Sequence, residues 1–247
     1  MTQPSEEPKD CTDLSSDDDV GPIEPIGPRL YGTDLILDRI ETCLPKRWIS
    51  TDVVDIMIQK YRKENPGVFY IVFPILIVGA IVQNYYSQKV SDRLQLQRYF
   101  SKIYELFGSP DTELLECILY PHWESDHYTM IVVWLKENKV TSVDGFGNCN
   151  LPVCQKLLNY TIEQLNRYRQ KNRQLKVAEF YRNIEAHPSM PRQPNNYDCG
   201  FYALKAAECI VRREPISFTH DIIATLRVEV YEMLLKAYHD YTPEICN

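Results

Sequence analysis

"ECILYPHWESDHYTMIVVWLKENKVTSVDG", residues 116–145, is dominated by β-branched and aromatic residues set between turn-forming ones. That composition suits a half-buried or fully buried sheet. The part before Leu135 reads as two strands, broken at Pro121 and at Glu124-Ser125-Asp126. The run Thr129 to Leu135 is unbroken. It passes through Lys136-Glu137-Asn138-Lys139 and returns as Val140 to Val143, ending on Asp144. An antiparallel return of that length brings Asp144 back to within a few residues of His127.

Helical patterns flank this block. "WISTDVVDIMIQKYRKE" (48–64) opens on a cap-like Ser50-Thr51 pair, after which Val53, Val54, Met57, Ile58 and Tyr61 recur at helical spacing. Residues 92–107 read as another helix, and 108–112 as a loop. Downstream, residues 152–170 place Leu157, Leu158, Thr161, Ile162, Leu165 and Tyr168 on one face. "LKVAEFY" (175–181) reads as a strand, 184–196 as a long loop, and 198–214 and 221–241 as helices. "VFYIVFPILIVGAIV" (68–82) is apolar throughout, but a membrane span needs about 20 residues, and Pro74 and Gly79 interrupt this one. It is expected to be a buried strand, Val68 to Phe73, turning at Pro74 into a buried helix. Strands grouped in the middle, with helices before and after, predict an α+β class.

The charge is uneven. Of 34 acids and 27 bases, residues 1–28 hold eight acids and Lys9 alone, leaving equal numbers of each sign behind them. Those 28 residues are rich in Ser, Pro and Gly and poor in large apolar side chains, so they are expected to be a disordered acidic tail. No nucleic-acid footprint emerges from this balance, and the cluster Arg167, Arg169, Lys171, Arg173, Lys176 reads as a solvated helix end. Eight scattered cysteines without a CxxC pair fit a reducing nucleus or cytosol, with free thiols and no metal site.

One of those cysteines stands on a join. In "QPNNYDCGFYALKAAEC" (193–209) a polar, turn-prone stretch runs into a helical pattern, and Cys199 sits where the two meet. The unpaired amides and positive dipole end of a first helical turn favour thiolate over thiol. A nucleophilic thiol needs a base, and the base an orienting acceptor. Of His122, His127, His187, His220 and His239, only His127 leads directly into the long strand whose return ends on Asp144. A tetrahedral intermediate also needs donors, which helix-start amides supply. Gln193, six positions before Cys199, could supply another from its side chain.

His127, Asp144, Gln193 and Cys199 in "YDCG", in that order, resemble the signature of the ubiquitin-like-protein-specific cysteine proteases. These are the SUMO/sentrin proteases and their deneddylase relatives, of the adenain-like clan. "RWISTDVVDIMIQKY" resembles that family's "WLND" helix, and "FYIVFPILI" the strand-to-helix segment after it. The resemblance covers roughly residues 30–240. It implies a papain-like/adenain-like fold, with a central mixed sheet flanked by helices, for a catalytic domain over 29–247. It implies Cys199 as nucleophile, His127 as general base and then acid, Asp144 as orienter, and Gln193 as oxyanion donor. Trp48 and Tyr128 would wall a narrow tunnel for a Gly-Gly tail, where substrate without side chains is selected by excluding anything wider. Tyr128 stands where the family usually has Trp, Thr51 where it has the acid of "WLND", and Gly145 where it commonly has Ser. The rival "HW" at His122-Trp123 fails, because Glu124-Ser125-Asp126 would then fall inside an apolar strand.

The implied function is a thiol protease that cuts after the Gly-Gly end of a SUMO or cullin-type modifier, in precursors or conjugates. It would act as a monomer in the nucleus or cytosol, without cofactor, nucleic acid or membrane. A clan-related acetyltransferase and an inactive modifier-binding module are the alternatives.

Overall fold

The computed structural model describes residues 28–67 and 69–241. The expected acidic tail falls, apart from Pro28, outside the described residues, as does Val68.

A five-stranded sheet forms the centre, in the order β3-β4-β5-β6-β7. It comprises β3 (Tyr70–Val72), β4 (Cys117–Glu124), β5 (His127–Trp134), β6 (Lys139–Val143) and β7 (Ile184–Ala186). The middle pairs are antiparallel, while β3 runs parallel to β4 and β7 parallel to β6. The sheet is therefore mixed, as expected. A separate two-stranded ribbon, β1 (Arg29–Leu30) with β2 (Thr33–Asp34), leads into the short helix α1 (Leu37–Ile40).

Both faces of the sheet are covered, which explains why its strands read as continuous apolar runs. Tyr70, Val72, Cys117, Leu119, Met130, Val132 and Val143 face one core, shared with α2 (Thr51–Glu64), α7 (Cys199–Val211) and α8 (His220–His239). The alternate residues Ile71, Phe73, Ile118, Tyr120, Ile131, Val133 and Val140 face a second core. That core is completed by α3 (Ile75–Asn84), α4 (Val90–Leu106) and α5 (Leu151–Asn166). Ser50 caps α2, its side chain accepting from the Val53 amide. The buried run beginning at Tyr70 turns at Pro74 into α3, as the sequence suggests.

Two expectations are corrected. Pro121 does not break a strand: β4 runs through it and ends at a tight turn on Ser125 and Asp126, both with positive φ. A two-residue turn with that geometry makes Glu124 and His127 a hydrogen-bonded pair, so Pro121, opposite Met130, is in a non-hydrogen-bonded pair. Its nitrogen points instead toward β3, like that of Cys117, which donates to Phe69. But β3 ends opposite Leu119, and no ladder bond is lost. The second correction concerns "LKVAEFY", which forms a short helix, α6 (Val177–Phe180), rather than a strand. The strand comes three residues later, as β7, inside the stretch expected to be loop.

Candidate active site

His127 opens β5, Asp144 follows the last residue of β6, and Cys199 begins α7. The antiparallel register sets Met130 against Val143, which brings Asp144 level with Thr129, near the turn between β4 and β5. There His127 Nε2 lies 2.8 Å from Asp144 Oδ1. The remaining ring nitrogen, Nδ1, is the one left to meet the Cys199 thiol, which is near enough to the imidazole to be, after Asp144, a cause of its raised pKa. Asp144 is buried, and its Oδ1 also accepts from the Phe146 amide at 2.7 Å. The Phe146 ring stacks on the imidazole, centroids 5.0 Å apart and planes 22° from parallel. The hydrogen bonds to Asp144 and then to Cys199 outweigh burial and raise the His127 pKa from 6.5 to about 9.

The loop before Cys199 is built by Asn195. Its Oδ1 accepts from the amides of Tyr197 and Asp198, and its Nδ2 donates to Asp198 Oδ2 at 2.7 Å. Arg227, buried on α8, holds the same loop from behind. Its guanidinium donates to Asp198 Oδ1 and the Tyr197 carbonyl, and on its other side to the carbonyls of Thr42, Cys43 and Leu44. The chain from Leu44 leads to Trp48, whose indole nitrogen donates to the Asn196 carbonyl at 2.6 Å. One arginine thus fastens both the cysteine loop and the segment carrying Trp48.

Gln193 is buried beside this loop and donates through Nε2 to the Asn195 carbonyl, while its Oε1 has no partner. Its amide packs on Gly145, where a Cβ would come within 2.5 Å of Oε1. This contact gives Gly145, unexpected by resemblance, a physical reason. Trp48 is 47% exposed, whereas Tyr128 is buried. The Tyr128 hydroxyl donates to the Ile49 carbonyl at 2.9 Å, and a Cβ on Gly200 would lie 3.2 Å from its ring. In this state Tyr128 supports the start of α7 and presents no open wall. Its cross-strand neighbour, Trp123, is 47% exposed.

His122 makes no bond to Asp144, which is engaged by His127. It is buried without a hydrogen bond to either ring nitrogen, Glu124 Oε2 standing 3.6 Å from Nε2, and it lines a cavity of about 220 Å³ with Glu124, His127, Thr129 and Asp144. Among the described residues no group of three or more His, Cys, Asp or Glu side chains could hold a metal ion.

The profile of the Ulp1 protease family, C-terminal catalytic domain, matches residues 78–240. The chain belongs to that family. The matched span includes His127, Asp144, Gln193 and Cys199, and leaves Trp48 outside. Human sentrin-specific protease 2 is 24% identical over 219 residues, covering 87% of this chain and 34% of that protein. A putative ubiquitin-like-specific protease 1B of Arabidopsis thaliana is 22% identical over 221 residues, covering 84% and 59%. The chain thus spans about a third of the length of the sentrin-specific relative. Among solved structures, the SUMO protease Ulp1 with its catalytic cysteine oxidized to a sulfinic acid superposes with a TM-score of 0.67. It is 15% identical, covering 86% of this chain and 89% of that one. The C-terminal Ulp1 protease domain in complex with Smt3, the yeast ortholog of SUMO, gives 0.63 at 16% identity, covering 86% and 87%. At such identities these structures establish the fold, which is the Ulp1-type α+β fold.

Sequence reasoning missed Phe146, Arg227 and the Asn195 loop. The signal for Phe146 was a large aromatic between two glycines immediately after the acid, in "DGFG" (144–147). Arg227 carried none, being one charge among several on an amphipathic helix.

Proposed function

We propose that this protein is a thiol protease that cleaves after the C-terminal Gly-Gly of a SUMO-type modifier, releasing it from precursors or from target lysines. One observation carries the reading: His127 is bonded to Asp144 at 2.8 Å, and the Cys199 thiol lies close enough to the same imidazole to help raise its pKa. The names of the relatives favour a SUMO-type modifier over a cullin-type one. The protein acts as a monomer in the nucleus or cytosol.

In this mechanism His127 holds the proton that Cys199 gives up, and the thiolate sulfur attacks the carbonyl carbon of the modifier's last glycine. The oxyanion is met by amides of the first turn of α7, which have no intrahelical partners. Gln193 adds a second donor by turning its side-chain amide from the Asn195 carbonyl. His127 then protonates the leaving amine as the carbon–nitrogen bond breaks. Asp144 holds the ring and stabilises the imidazolium without accepting its proton. Water, deprotonated by the same imidazole, hydrolyses the thioester and regenerates the thiol. Trp48, fastened across the loop entrance, flanks the glycine tail, and Tyr128 bears on that passage from beneath.

The test is a set of modifiers, SUMO-type and cullin-type, each ending in a vinyl sulfone. Covalent capture of the SUMO-type probe, abolished by Cys199→Ser, supports the reading. Capture of the cullin-type probe alone overturns the choice of modifier. Binding without capture marks a docking module instead.

A further inference from the structure

Two side chains on the loops around the site, one against His127 and the other against the turn that carries the first, are left without a role by this chemistry. Phe146 covers one face of the imidazole, yet 39% of it remains exposed. The next residue, Gly147, has φ +69, and Arg192 lies against it: a Cβ there would fall 2.4 Å from the guanidinium carbon. The two loops run side by side, with the Gln193 amide donating to the Gly145 carbonyl at 2.9 Å and the Arg192 carbonyl accepting from the Tyr202 hydroxyl. Arg192 is exposed, and no ion pair among the described residues engages it. Nearby Arg227, by contrast, is spent on Asp198. An uncommitted guanidinium thus sits one residue from the ring stacked on the imidazole.

The location gives this pair a side. The modifier's glycines approach the sulfur past Trp48, whereas His127 must reach the amine that departs. Side chains lying against His127 from the Gly145–Gly147 turn therefore border the target, not the modifier. We propose that Phe146 and Arg192 form the recognition surface for the target side of the isopeptide bond, with Arg192 favouring lysines flanked by Asp or Glu. The proposal rests on the hydrolase reading above. A planar guanidinium is suited to carboxylates, with two parallel donors, and an aromatic face accommodates the aliphatic stem of the target lysine.

The test uses three substrates sharing one modifier. Two are isopeptides to a target peptide with either acidic or basic residues beside the modified lysine, and the third is an aryl amide with no flanking residues. The wild-type protein is expected to cleave the acidic-flanked conjugate about five-fold faster in kcat/KM at low ionic strength, the range of an exposed ion pair. That ratio should shrink toward one in high salt. Arg192→Glu should invert it. An acidic-to-basic ratio that is the same in wild type and Arg192→Glu overturns the proposal, as does a wild-type ratio that ignores salt. Cleavage of the aryl amide without any flank preference sinks only this inference. Failure to cleave all three sinks the hydrolase reading beneath it.

Discussion

At the scale of single residues, the site turns on one raised pKa. In the proposed mechanism the imidazolium is the proton donor to the leaving amine, and the His127 pKa of about 9 keeps the ring charged through neutral pH. Activity should therefore fall as pH rises through about 9, where the imidazolium deprotonates. Asp144 is the largest cause of that elevation, so Asp144→Asn should move the alkaline limb of kcat/KM down toward 6.5. It should also cost about 10²–10⁴ in kcat, the range for loss of an oriented acid–base group. A pH–rate profile checks both, and an unmoved alkaline limb in Asp144→Asn would detach that limb from His127. The four residues proposed for this chemistry could be singled out because each stands at an element boundary with the right neighbour class: strand start, strand end, loop and helix start. Phe146 was not, since its stacking on His127 comes from the turn Asp144–Gly147, whose geometry depends on the positive φ of Gly147.

At the scale of elements, what could be read was what repeats. Helices α2, α5, α7 and α8 announce themselves through several turns of apolar spacing, and β5 through an unbroken β-branched run. Three-residue β7 repeats nothing, and is a strand only because β6 offers its edge. Pro121 misled because sequence shows a missing donor but not whether a partner strand reaches that far. The joint between α2 and α3 was equally hidden. Asp55 on α2 accepts from the Ile75 amide at 2.9 Å, capping α3 from another element. Burial, the largest cause, raises its carboxyl from 3.8 to about 7. In the unfolded chain this group ionises near 3.8, so stability declines as pH rises from there through about 7. Asp55→Asn keeps an acceptor and removes the buried charge. It should raise stability at pH 8 by on the order of 2 kcal/mol, discounted from the full shift, and the gain should fade at pH 4. Thermal melts at the two pH values measure it. Equal gains at both would mean that the carboxyl does not titrate across that range.

For the whole molecule, the question is how parts far apart in sequence are kept in catalytic register. The base and its acid come from one sheet and need only the β5–β6 hairpin. The nucleophile and Trp48 come from opposite ends of the domain, and their connection runs through α8. Arg227 is the shared fastening: it stacks on Phe201 at 4.3 Å, grips Asp198 beside the nucleophile, and holds three carbonyls of the segment leading to Trp48. Its distance in sequence, about 184 residues from Cys43, is why no local pattern could reveal it. Replacing it with Met leaves the Asp198 carboxylate buried beside unfilled carbonyls, a loss of about 3–5 kcal/mol for a broken buried pair. Removing both charges, as Arg227→Met with Asp198→Asn, should recover part of that stability in denaturant melts, because the uncompensated carboxylate is gone. Activity should not recover with it. Without the guanidinium, the cysteine loop and the Trp48 segment lose their common anchor, so kcat/KM for a Gly-Gly substrate should stay depressed at temperatures where the double variant is fully folded. If activity returned in step with stability, Arg227 would be a fold-stabilising residue alone, and the register of the site would have to be held by the Trp48–Asn196 bond.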